Sequence, residues 1–191
     1  KLLKNGPISF SVPTGNFGDI LAGWAAKKMG LPIANLLIAT NENDILARAL
    51  ETGVYSIDKA IATMSPSMDI QISSNFERLL FEAYDRDSSK IKSLMNNLKE
   101  NNKFIIDDHA LNFIKKDFIA KSISEKETKD CIANVYKKTG YILDPHTAVG
   151  YASIDILKSE GSIVTLGTAH PSKFPKAVKS SLGKIPEMPE R

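Results

Sequence analysis

Ile8-Ser9-Phe10-Ser11-Val12-Pro13-Thr14-Gly15-Asn16-Phe17-Gly18-Asp19 is the stretch on which the fold turns. Its opening residues, Ile8 to Val12, have the composition of a strand. Beyond them, Leu21, Trp24, Ala25 and Met29 recur at helical spacing, so Gly15 and Gly18 carry the chain from sheet to helix. A helix start presents unpaired amide hydrogens and the positive end of the dipole, and glycines let backbone approach a ligand closely. The pattern therefore serves either a plain turn or a cradle for a phosphate over Gly15 to Asp19. Its spacing fits neither a Walker loop nor a dinucleotide fingerprint.

Working outward, Gly30-Leu31-Pro32 ends the first helix and Ala34 to Ala39 is an apolar run of strand length. Thr40 to Asp44 offers caps for a helix reaching about Glu51, with Gly53 as its stop. Strand, helix, strand, helix in succession predicts an α/β fold with a partial parallel sheet and flanking helices. From residue 73 to 140 the chain turns mostly helical and charged, with amphipathic helices expected over 75–84, 88–101, 107–119 and 124–139. This section reads as an insertion within a single domain spanning 1–191. Asp144-Pro145 caps and opens another helix, Ser162 to Leu166 returns to the sheet, and Pro171 opens a last helix. Open parallel sheets gather ligands at the carboxyl ends of their strands, which puts Gly167-Thr168-Ala169-His170 in the same crevice as Gly15 to Gly18. Pro186 to Pro189 reads as an exposed, extended end.

Composition narrows the partners. Of the 191 residues, 42% are apolar, and no run is long enough to span a bilayer. The net charge of +3 arises from 25 basic and 22 acidic residues spread along the chain, without the basic stripe of a nucleic-acid binder. The single cysteine, Cys131, excludes an internal disulfide framework and reads as buried filler. With no signal-peptide pattern at the start, the expected compartment is a reducing cytoplasm. No cluster of metal ligands stands out. The opening Lys1-Leu2-Leu3, without an initiator Met, reads as a piece of something longer.

Several segments together resemble one family. They are Ser-Val-Pro-Thr-Gly-Asn-Phe-Gly-Asp at 11 to 19, Ser-Pro-Ser-Met-Asp-Ile at 65 to 70, Ser-Ser-Asn-Phe-Glu-Arg-Leu-Leu-Phe-Glu at 73 to 82, Asp-Pro-His-Thr-Ala-Val-Gly at 144 to 150, and Leu-Gly-Thr-Ala-His-Pro-Ser-Lys-Phe at 166 to 174. In content and order they resemble threonine synthase, and the resemblance covers nearly the whole chain while corresponding to the carboxyl-terminal portion of a member. It implies a tryptophan-synthase-like, fold-type-II enzyme that uses pyridoxal 5′-phosphate. It also implies conversion of O-phosphohomoserine and water to threonine and phosphate, the last step of threonine biosynthesis.

The same resemblance assigns roles. Gly15, Asn16, Phe17, Gly18 and Asp19 would hold the cofactor phosphate through backbone amides, with Thr14 adding its hydroxyl or serving the turn. The Phe17 ring is expected under the helix and its amide at the phosphate. Thr168 would face the pyridine nitrogen, where a hydroxyl supports a pyridinium less than a carboxylate does; the alternative is a β-branched residue that ends a strand. His170 and Lys173 would attract the substrate phosphate or simply cap and face solvent, and His146 would bind substrate or cap its helix. His109 reads as surface. Asp69 and Arg78 are expected to tie the helical section to the sheet.

A pyridoxal-phosphate enzyme needs a lysine that forms a Schiff base. Phe113-Ile114-Lys115-Lys116-Asp117-Phe118 faintly resembles the family's Phe-Lys-Asp segment, yet in the family that lysine precedes the glycine loop. Leu111, Ile114 and Phe118 also define an apolar stripe that leaves Lys116 on the polar side. The expectation is that no catalytic residue lies in this chain, that the lysine lies upstream of Lys1 in an amino-terminal domain, and that the chain alone is inactive. Another fold-type-II lyase or synthase, or a non-catalytic phosphate-binding module, are the other readings.

Overall fold

The computed structural model describes residues 6–158 and 161–189. Strand β1 (Ile8–Pro13) runs into helix α1 (Gly18–Lys28), followed by β2 (Ile33–Thr40), α2 (Ile45–Thr52) and β3 (Val54–Ser56). After a long loop with a 3₁₀ turn at Pro66–Met68 come α3 (Phe76–Ala83), α4 (Ser88–Asn101), β4 (Lys103–Ile105), α5 (Asp108–Lys115) and β5 (Phe118–Ser122). The chain closes with α6 (Glu125–Thr139), α7 (Pro145–Ala152), β6 (Ile163–Thr165) and α8 (Pro175–Leu182). The four-stranded sheet has the order β5-β2-β1-β6 and all of its pairs are parallel. A short antiparallel pair, β3 with β4, lies apart from it.

A parallel sheet must be covered on both faces, and its central strands are accordingly apolar and buried. Leu36, Leu37, Ile38 and Ala39 of β2 are all fully buried. Phe17, Ile20 and Trp24 of the first turn and helix join Leu36, Ile38, Leu79, Leu80, Ile114 and Phe118 in one core. Helix starts follow their caps: Asp87, Asp107 and Asp144 accept amide hydrogens from the first turns of α4, α5 and α7, and Ser124 with Glu127 forms a reciprocal capping box on α6.

Two expectations need correction. The helix expected over 107–119 stops at Lys115, and Phe118 opens the edge strand β5. Phe118 sits opposite Leu36 in the β2 register, and its ring centroid lies 5.6 Å from that of Phe17. The apolar spacing of Leu111, Ile114 and Phe118 is thus shared between a helix and a strand, because pairing with β2 overrides local periodicity. The section 73–140 is mostly helical, yet it also supplies β4 and the edge strand β5, so it shares the main sheet. Asp117 fixes this junction: it accepts from Trp24 Nε1 at 3.0 Å and pairs with Lys27 at 2.8 Å and Lys28 at 3.3 Å. Burial alone would raise the Asp117 carboxyl, but Lys27 and Lys28 outweigh it and hold the group below its ordinary range. The second correction concerns the tail, where Pro186 is buried although Glu187 and Met188 are exposed.

No helix among the described residues is long and apolar enough to cross a membrane. Cys131 is half-buried, and burial pushes its thiol up to about 11, which makes it a poor nucleophile.

Candidate functional site

The register of the sheet brings the two glycine segments together. Ser11 of β1 lies opposite Thr165 of β6, and the Leu166 amide donates to the Ser11 carbonyl at 3.0 Å. Thr14-Gly15 and Gly167-Thr168 therefore leave the same end of the sheet side by side, the carboxyl end at which parallel sheets bind ligands.

Phe17 is the pivot of the first segment. Its backbone is left-handed, φ 67° and ψ 7°, which a bulky residue tolerates only where packing holds it. That packing is complete: the ring is fully buried, edge-on to Phe76 at 5.4 Å and tilted on Phe118 at 5.6 Å. The ring of Phe17 thus packs under the helix. A left-handed residue next to right-handed helical ones turns successive amides toward one concavity, an arrangement suited to an anion. Helix α1 has no side-chain cap, and among the described residues the amides of Gly18, Asp19 and Ile20 meet no acceptor. Three donors at the positive end of an 11-residue helix are thus left for a ligand.

The two glycines of the loop do different work. A Cβ on Gly15 would lie 3.1 Å from the Ser67 carbonyl oxygen and 3.4 Å from the Met68 Cα, so the neighbouring backbone excludes a side chain there. A Cβ on Gly18 would meet only the Asn75 Nδ2 at an ordinary 3.7 Å. A Cβ on Gly167 would meet nothing within 4 Å. Neither Gly18 nor Gly167 is crowded from within the chain, and with the free amides of α1 between strand end and helix the donor chemistry fits the phosphate of pyridoxal phosphate.

Other expected site residues divide. Thr14 donates its hydroxyl hydrogen to the Val12 carbonyl at 2.6 Å, so in this structure the hydroxyl serves the turn. Thr168 is exposed just beyond β6; its amide donates to Thr147 Oγ1 at 3.2 Å, and Thr147 in turn donates to Asp144. His170 uses Nδ1 to accept the Ser172 amide at 3.2 Å, which caps the 3₁₀ turn Pro171–Lys173, and both His170 and Lys173 are exposed.

His146 is held inside the protein. The ring is buried, 4.7 Å from that of Phe174. Its Nε2 accepts the Ser67 amide at 3.3 Å, which assigns the ring hydrogen to Nδ1, 3.2 Å from Asp144 Oδ1. Both nitrogens are engaged inside the protein. The imidazole joins α7 to the loop that closes over Gly15, a link that reading His146 as a local cap misses because its partner is far away in sequence.

Asp69 ties that same loop to the sheet. Its Oδ1 accepts from Asn41 Nδ2 at 2.8 Å, Asn43 Nδ2 at 3.1 Å and Thr63 Oγ1 at 2.6 Å. Arg78 is exposed on α3, His109 is exposed on α5, and Lys116 is exposed before the amino-terminal end of β5, at the opposite edge from the glycine loop. Among the described residues no group of acidic, histidine and cysteine side chains could hold a metal.

This α/β arrangement, with an uncapped helix start at the carboxyl edge of a parallel sheet, is that of the fold-type-II pyridoxal-phosphate enzymes. A crystal structure of T.th. threonine deaminase shares the fold at 12% identity, with a TM-score of 0.52 over 86% of this chain and 47% of that one. Much greater similarity points to one family within the class. Residues 147–191 match the family model described as threonine synthase, C-terminal. Threonine synthase of Pseudomonas aeruginosa is 45% identical over 185 residues, covering 95% of this chain and 39% of that protein. A crystal structure of pyridoxal-phosphate-bound threonine synthase from Brucella melitensis superposes with a TM-score of 0.94 at 51% identity, over 96% of this chain and 40% of that one. The chain belongs to the threonine synthase family and corresponds to a carboxyl-terminal portion of its members. It spans about two fifths of the length of the relatives it matches.

Proposed function

We propose that this chain forms the cofactor-phosphate side of a threonine synthase, which converts O-phosphohomoserine and water to threonine and phosphate in the cytoplasm. The observation that carries the reading is the uncapped start of α1, whose Gly18, Asp19 and Ile20 amides meet no acceptor among the described residues. When bound, pyridoxal phosphate supplies an electron sink for carbanion chemistry on an amino-acid substrate. The amides of Asn16 to Ile20 would hold its phosphate, and Thr168, exposed just beyond β6, would offer its hydroxyl to the pyridine nitrogen. His170 and Lys173, both exposed just after that segment, attract the substrate's phosphate. The lysine of the Schiff base comes from the part of the enzyme that faces this one, since Lys116 stands at the wrong end of the sheet.

Gly18→Ala tests the cradle, because the new methyl meets no tight contact within the chain yet stands at the ligand. Titration of pyridoxal phosphate is expected to show affinity reduced about tenfold, the loss of one charge-assisted hydrogen bond, at an unchanged melting temperature. Equal affinity in the two proteins would move the cofactor elsewhere. A second assay measures phosphate release from O-phosphohomoserine: the 191-residue chain with added pyridoxal phosphate should give none, and the chain joined to the preceding portion of a family member should turn over. Turnover by the chain alone would place a catalytic lysine within it.

A further inference from the structure

The carbonyls of the glycine loop are held from behind by a segment far away in sequence. Ser73 Oγ donates to the Gly15 carbonyl at 2.7 Å. The Asn16 carbonyl accepts twice from Asn75, at 3.1 Å from its backbone amide and 2.9 Å from Nδ2. Ser74 Oγ adds a longer contact to the Asn16 side chain at 3.4 Å. Ser73 is itself fixed, since its amide donates to the buried Tyr55 hydroxyl at 2.8 Å.

In a trans peptide the N–H points opposite to the C=O of the same unit. The carbonyl of Gly15 shares its peptide with the amide of Asn16, and the carbonyl of Asn16 with that of Phe17. With both carbonyls drawn toward Ser73 and Asn75, both amides are turned away from that segment, and they directly precede in sequence the free amides of Gly18 to Ile20. A loop rich in glycine could otherwise rotate these peptides and present carbonyl oxygens to an anion. From this we infer that Ser73 and Asn75 are positioning residues for anion binding, orienting the Asn16 and Phe17 amides through the carbonyls of Gly15 and Asn16. The inference rests on the phosphate-cradle reading above and adds the device that gives the cradle its polarity.

The test is a phosphate titration of the full chain followed through the amide proton shifts of Asn16, Phe17, Gly18 and Asp19. Ser73→Ala removes the hydroxyl donor to the Gly15 carbonyl and Asn75→Ala the Nδ2 donor to the Asn16 carbonyl without adding charge, whereas Ser73→Thr keeps the hydroxyl. Phosphate should bind both alanine variants about tenfold more weakly, with the shifts of Asn16 and Phe17 lost first, and Ser73→Thr should restore binding. Resonances distant from the loop serve as the folding control. Normal affinity and normal Asn16 and Phe17 shifts in both variants would overturn the positioning role alone. No phosphate-dependent shift at any of the four amides in the unaltered chain would overturn the cradle and this role with it.

Discussion

Asp144→Ala is expected to be the most destabilising single substitution near the site, at about 3–4 kcal/mol, from a lost helix cap and orphaned buried donors. Asp144 is buried, and its carboxylate accepts from the amides of His146 at 2.9 Å and Thr147 at 3.3 Å, from the Thr147 hydroxyl, and from His146 Nδ1 at 3.2 Å. Alanine leaves all four without an acceptor in a dry environment. For a chain of this size the midpoint of thermal unfolding should fall by roughly 10 °C. Asp144→Asn keeps one carbonyl oxygen for the cap and should cost less than half as much. A loss under about 1 kcal/mol for the alanine variant would mean that the network is not holding α7.

The same carboxylate predicts an acid transition. Burial alone would raise Asp144, but the hydrogen bonds from His146 and Thr147 outweigh it and hold the group below its ordinary 3.8. A carboxyl lowered on folding contributes stability that is complete above the unfolded value and is lost as pH falls through the folded one. Denaturant midpoints of the unaltered chain should therefore decline below about pH 4, and the Asp144→Asn variant should show a shallower decline there. The consequence reaches the site, because the Thr147 hydroxyl that Asp144 orients accepts the Thr168 amide.

Gly150→Ala should cost about 2–3 kcal/mol by overpacking. A Cβ at this position would lie 3.0 Å from both Pro13 Cγ and Thr165 Cγ2, and 3.1 Å from Pro13 Cδ. These atoms belong to the ends of β1 and β6, so relief requires α7 to move off the sheet. That movement is resisted by Ser11 Oγ, which donates to the Gly150 carbonyl at 2.6 Å. Because Pro13 leads into Thr14-Gly15 and Thr165 into Gly167-Thr168, the shift reaches both glycine segments, and cofactor affinity should fall together with stability. Gly167→Ala is the control: it faces open space, and its stability should stay within about 0.5 kcal/mol of the unaltered chain. Similar melting curves for the two variants would remove the close approach of α7 as the explanation.

The contrast among Gly15, Gly18, Gly150 and Gly167 marks what could be read along the chain. Gly15 and Gly18 declare themselves by lying between a strand pattern and a helix pattern, and Asp144-Pro145 declares a helix start, because each signal is local. Gly150 gives no local sign, since it lies inside a helix and its reason is the strands beneath it. Phe118 misleads for the complementary reason: its spacing from Ile114 suits a helix, and only β2 alongside makes it a strand. His146 looks like a helix-cap residue until Ser67 is brought to its Nε2.

The amino-acid sequence by itself determined the alternation of strands and helices, the glycine turn, the caps and the resemblance to threonine synthase, because periodicity, capping and turn chemistry act over a few residues. Tertiary structure alone decided that Phe118 joins the sheet, that His146 is internal, and that Ser73 and Asn75 turn the loop's amides outward. Those outcomes depend on hydrogen bonds and contacts between residues far apart in the chain, and no local pattern specifies a partner across such a distance.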